Sequence, residues 1–265
     1  MTATALALGY RCARLDTKRF LRNRAAVIFT LAFPIMFLVL FGLIFHGTIE
    51  GTTVRYSELL VTSIMASSLA SVTFVSLAIT VTTERDSGEL KRLAGTPMPK
   101  AAYFIGKIGQ VFAISVVEVA LVMVIGLVAF KLKLPTSGGR WATFVWVFVL
   151  SVVACTLLGI AMSSVPKNAK AAPAVVNLPF VGLQFISGIF VPFTQLPNSL
   201  RTIAGYFPLK WMAQGIRSAF LPDTFAQVEQ AHAWEHGRTA LVLAAWIVIG
   251  AVLCLRTFRW TTDGR

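Results

Sequence analysis

The densest run of ionisable side chains in the 265 residues is Glu84-Arg85-Asp86-Ser87-Gly88-Glu89-Leu90-Lys91-Arg92. Its types and spacing suit docking rather than bond-making. Asp86 is placed to cap a helix, and Glu89, three residues on, completes a capping box. Lys91 and Arg92 fall near the C-terminal end, where the helix dipole favours cations. Gly95 can take the left-handed conformation past that end, and Pro97 blocks continuation. The spacing predicts a helix over residues 87–94, about 12 Å long. A rod that short does not hold its shape alone in water. Leu90 and Leu93 share one face of it. Two surfaces would serve: a groove on a partner protein, or the membrane face on which an ordinary capped loop rests.

Other chemistry is sparse. Glu118 is the single charge inside the apolar runs, and an intramembrane acid is a functional candidate by default. It either meets a cargo or a proton, or packs against a neighbouring helix. Cys12, Cys155 and Cys254 have no metal-ligand spacing, and two of them lie within apolar runs, as small buried hydrophobes do. His232 and His236 are four apart, but no acid or cysteine completes a site. No metal site and no catalytic cluster is expected. A Gly-x-x-x-x-Gly-Lys-Ser/Thr phosphate loop is absent, and Gly106-Lys107, the one Gly-Lys pair, has the wrong context. If the chain is a pump, ATP is hydrolysed on another polypeptide.

The elements that must position these residues are apolar. Hydrophobic residues make up 56% of the chain and charged ones 13%, against about 45–50% and about 25% in soluble domains. A spanning helix needs about 20 apolar residues. Six runs qualify as candidates: 25–45, 59–83, 108–130, 141–165, 171–192 and 239–255. Pro34 is expected to kink the first, and Pro173 and Pro179 the fifth. The fold class is all-α, a polytopic membrane protein forming one transmembrane domain over 1–265. The N-terminal run is too long for a cleavable signal and reads as a retained span.

The formal net charge is +13, and its placement favours topology and anionic lipid over nucleic acid. With the N-terminus inside, 16 of the 24 Lys and Arg residues fall on the cytoplasmic side. Both termini are then cytoplasmic. The cluster Lys131, Lys133 and Arg140 is the misfit. Residues 4–20, within the 1–24 segment, mix leucines with Arg11, Arg14, Lys18 and Arg19. They predict an amphipathic helix in the inner interface; the alternative is a disordered basic tail. Segment 193–238, rich in proline and aromatics, predicts short re-entrant helices at the outer face. A small-residue stripe in the second span, Ser63, Ser67, Ala70 and Ser71, suits close helix packing.

With these elements in place, Glu84-Arg85-Asp86-Ser87-Gly88-Glu89-Leu90, Arg92, Leu93, Thr96 and Pro97 resemble the cytoplasmic signature of type-2 ATP-binding-cassette exporter permeases. Ser187-Gly188 through Pro192, Leu196 and Pro197 is similar to that family's motif where the fifth span meets the outer helices. Phe207-Pro208 followed by Arg217 is similar to its stretch before the last span. The resemblance implies that segment 84–99 is a coupling helix seated in a cleft of a separate ATPase subunit. It also implies that the chain pairs with itself or a sister permease in a bacterial plasma membrane. The short 46–58 loop departs from the branches with large external domains, and the size resembles drug- and antibiotic-resistance permeases. The implied function is export of a small hydrophobic or amphiphilic compound by alternating access. Polysaccharide or glycolipid export shares the layout. An ion-coupled carrier would need more intramembrane charge than Glu118, and an intramembrane enzyme would need a cluster that is missing.

Overall fold

The computed structural model describes residues 2–45, 47–190 and 193–258. Eleven α-helices are defined among them. They are α1 (Thr2–Arg22), α2 (Arg24–Ile44), α3 (Tyr56–Ala70), α4 (Leu77–Asp86), α5 (Glu89–Ala94) and α6 (Lys100–Phe130). They continue with α7 (Gly138–Met162), α8 (Ala172–Ile186), α9 (Asn198–Tyr206), α10 (Pro208–Phe220) and α11 (His236–Thr257). Among the described residues, the one β-type pairing is an isolated bridge between Thr48 and Arg55.

Among the described residues, five helices are long and apolar enough to cross a membrane: Ala26–Ile44, Tyr56–Asp86, Ala101–Phe130, Gly138–Met162 and His236–Thr257. The second joins α3 and α4 through a π-helical segment, Ser71–Ser76. The expected fifth run, 171–192, is helical only over the 15 residues of α8. At 1.5 Å per residue that is about 22 Å, short of a roughly 30 Å hydrocarbon core. The cause is local: Gly188 takes φ 75, the left-handed conformation that ends helices. Pro34 and Pro179 lie inside their helices as expected.

The core gathers side chains of α3, α6, α7, α10 and α11. Its centre is α10, all 13 residues of which are buried. The segment expected to hold short re-entrant helices supplies α10, which fills the space between α3, α7 and α11. Close approach is made by small residues. A Cβ on Gly215 of α10 would meet the Val147 methyls at 2.8 Å, and one on Gly250 of α11 would meet Leu157 at 2.9 Å. Gly159 of α7 rests on the carbonyls of Thr73 and Phe74 in the π segment, which its Cβ would meet at 2.8 Å.

Candidate functional site

Segment 84–97 folds differently from its expected form. The second span runs on through Asp86, and Gly88, at φ 74, breaks it. Gly88 N–H closes on the Arg85 carbonyl at 3.1 Å. The short helix α5 therefore holds 6 residues, and Gly95 has an ordinary right-handed backbone at φ −79. The expected start at 87 and cap at Asp86 are corrected accordingly. Asp86 belongs to the preceding helix, and its carboxylate accepts the Ala169 N–H at 3.0 Å. Nearby, Arg85 donates to the Pro166 carbonyl at 3.0 Å, and Thr82 to that of Ser163 at 3.0 Å. The loop between α7 and α8 is thus stapled to the corner.

Leu90 is fully buried, in one cluster with Leu77, Val81 and Tyr103. It faces the chain's own body, not an outside groove. Leu93 is half-buried, while Lys91, Arg92, Gly95, Thr96 and Pro97 are exposed.

Beneath the corner lies a chain of charges that joins four helices. Lys107 of α6, with 2% of its side chain exposed, donates to Asp16 of α1 at 2.9 Å and also to Glu84 of α4. Tyr103 Oη donates to the other Glu84 oxygen at 2.9 Å. Arg19 of α1 donates to Glu89 of α5 at 2.6 Å and stands 3.9 Å from Asp16. Removing water from Lys107 costs free energy, and two carboxylates around one ammonium offset it. α1 can come close because its seam with α6 is made of small residues: Gly9 lies on Ile105, Gly106 on Cys12 and Gly109 on Ala13. The expected amphipathic helix is present, and it is packed on α6.

Ser187 is buried at the end of α8, and the Gly188 carbonyl accepts Arg217 of α10 at 3.3 Å. Arg217 also pairs with buried Glu229 at 2.8 Å and reaches Ser63 of α3 at 3.4 Å. Leu196 offers its carbonyl to Arg201 at 2.6 Å, and Pro197 precedes α9. Pro192 lies outside the described residues. Lys210 of α10 lies 3.5 Å from the Trp211 ring centre, donates to Gln214 at 2.7 Å and stands 3.6 Å from Glu235. Arg140, part of the charge misfit, donates to the Leu221 carbonyl at 2.8 Å and pairs with Asp223 at 3.1 Å. Its charge is thereby met locally.

Glu118 is 1% exposed, and neither carboxylate oxygen has a partner among the described residues. It is not brought together with segment 84–97 or with Arg217. Separately, a cavity of about 230 Å³ opens between the second, fourth and last spans, α8 and the start of α10.

Sequence reasoning missed Asp16, Arg19, Tyr103 and Lys107. One signal was available: Asp16 is the lone acid in a 24-residue stretch with six basic residues. Among the described residues no group of three or more His, Cys, Asp or Glu could hold a metal.

This arrangement defines a polytopic helical membrane protein whose spans carry a small, exposed, internally braced helix at one end. The sequence matches the ABC-2 type transporter family over residues 9–221; the chain belongs to that family of transporter permeases. It is 22% identical to YvfS, a candidate transport permease of Bacillus subtilis (strain 168), over 73% of this chain and 77% of that one. It is 21% identical to YbhR, a candidate multidrug ABC transporter permease of Escherichia coli (strain K12), over 68% of this chain. It is 28% identical to ABC transporter G family member 10 of Dictyostelium discoideum over 43% of this chain. The match spans 48% of the YbhR chain and 8% of the Dictyostelium one.

Proposed function

We propose that the chain is the membrane subunit of an exporter powered by a separate ATPase, which binds the exposed side of α5 and the 94–97 turn. The single observation that carries this is the charge chain Glu89–Arg19–Asp16–Lys107–Glu84. A six-residue helix transmits force only if it is fastened to what it moves. Here it is fastened to α1, to the end of the second span and to the start of α6 at once. Displacement of α5 is then delivered to both spans rather than absorbed by a loop. The partner must bind one conformation more tightly than the other for ATP to drive the change. On this reading ATP and Mg reside on the ATPase, segment 84–97 and both termini face the cytoplasm of a bacterial cell, and two permease copies, identical or sister, enclose the pathway. The cargo is a hydrophobic or amphiphilic compound. The apolar cavity favours it over a polysaccharide, whose hydroxyls would need partners that such walls lack.

The docking contact falls on Lys91, Arg92, Thr96 and Pro97, which are exposed. Leu90 and Leu93 instead hold α5 in place, and the remaining members of the motif, Glu84, Arg85, Asp86, Gly88 and Glu89, brace the corner. The test is to co-express the chain with the ATPase of its own gene neighbourhood and compare Arg92→Glu with Leu90→Ala. Arg92→Glu is expected to leave the fold intact and reduce co-purification and cargo-dependent ATP hydrolysis at least tenfold. Normal co-purification of Arg92→Glu and of a Thr96→Trp variant would overturn the docking assignment.

A further inference from the structure

The cavity has walls from α3, the π segment, α7, α8, the 207–209 turn and α11. None of its lining side chains carries an oxygen. Its one side-chain nitrogen, the indole of Trp246, is already bonded to the Tyr206 carbonyl at 2.7 Å. The Cys155 thiol is turned to Met212 at 3.4 Å. At about 230 Å³ it exceeds the roughly 150 Å³ of a dry engineered cavity that takes up benzene. It lies where α8, which packs on the second span and α9, and α11, which packs on α7 and α10, leave a gap. The outward faces of both helices are apolar and exposed, at Leu178 (79%), Phe185 (54%) and Val248 (63%), and Pro179, in the lining itself, is exposed as well.

We propose that this cavity is a binding site for the alkyl chain of an amphiphile, entering sideways between α8 and α11. A hydrocarbon chain is the part of a membrane-soluble molecule that has no polar atom to leave unpaired, and a wall without free donors or acceptors penalises anything else. The head group must stay outside, because no charged side chain reaches the lining. The occupant lies against Ala70 and Phe74, on either side of the start of the π segment. Filling therefore bears directly on the irregular turn of the span that leads to Glu84. That the bound amphiphile is the cargo rests on the exporter reading above; the binding itself does not.

The experiment uses the full chain in phosphatidylcholine nanodiscs and a dodecylphosphocholine bearing a diazirine at the end of its chain. After photolysis, peptides are mapped by mass spectrometry. Labelling within 155–162 and 179–183 is expected to saturate and to fall at least fivefold under excess unlabelled dodecylphosphocholine. Labelling at Leu255, 87% exposed, should not saturate. Leu183→Trp, or the milder Ala70→Leu, is expected to lower the cavity label at least fivefold. Cavity labelling that behaves like that at Leu255, or that survives both filling substitutions, overturns the proposal. These readouts need no ATPase, so a failed coupling assay leaves them standing and the reverse also holds.

Discussion

Lys107 carries the most at the scale of single residues. It is buried, serves two carboxylates and lies next to the Tyr103 ring, 5.4 Å from its centre. Breaking a buried pair by removing one partner costs about 3 to 5 kcal/mol because the other charge is left unmatched. Lys107→Met is therefore expected to lower the thermal midpoint of the detergent-purified protein strongly, and Lys107→Arg much less. A Lys107→Met midpoint within a degree of native would refute the load assigned to this group. Glu118 makes the opposite case. A buried acid without a partner costs about 1 to 3 kcal/mol, so Glu118→Leu is expected to raise stability while impairing transport. Cargo flux measured alongside melting separates the two effects, and full flux would leave Glu118 a packing role only.

Helices and their joints come next. Gly88 turns the second span into α5 at φ 74, a geometry that costs other residues about 1 to 2 kcal/mol. Gly88→Ala should loosen the corner, seen as faster proteolysis within 84–97, and Gly88→Asn should loosen it less. Gly159→Ala forces a methyl against two backbone carbonyls and is expected to destabilise by about 1 to 3 kcal/mol. The joint at the start of α11 responds to acid. Burial favours the neutral form of Glu235, but Arg238 at 2.7 Å and Lys210 outweigh it and hold the carboxyl below its usual 4.5. Because the folded value is the lower one, this contact stabilises above about pH 4.5 and fades as pH falls through the folded value. Glu235→Gln should flatten the acid limb of a stability–pH curve, and an unchanged limb would count against the contact.

The sequence made the long elements plain because 20-residue apolar runs leave little choice of structure. Ends were harder. Ser87 and Asp86 carry the residue types of a helix start, yet the preceding span had not finished, and Gly88 rather than Gly95 took the left-handed turn. The role of α10 was hidden because 13 residues are too few for a span, and Lys210, Gln214 and Arg217 give it a surface-like composition. The guanidinium of Arg217 is met by Glu229, Gly188 and Ser63, which stand 12, 29 and 154 residues away in sequence. The charge chain was invisible for the same reason: Asp16 and Lys107 are 91 residues apart, and no local pattern ties them.

Across the whole molecule, two polar assemblies lie at opposite ends of the apolar core. One holds segment 84–107 to α1; the other holds α10 to α3 and to the end of α8. The positive-inside bias predicts that the first faces the cytoplasm. Thr96→Cys and Lys133→Cys, both at exposed positions, provide the check. An impermeant maleimide added to intact cells should label Lys133→Cys and spare Thr96→Cys, and the reverse pattern would invert the topology.

The π segment at Ser71–Ser76 also fixes an angular phase. A π turn carries one residue more than the α turn it replaces, so it rotates everything beyond it by about 100° relative to an unbroken helix. Ser63 can point at Arg217, and Glu84 at Lys107, only because that surplus residue lies between them. Deleting one residue within 71–76 would straighten the rod, yet swing Glu84 away from its ammonium. The irregular turn is what keeps both ends of the rod in register with their partners.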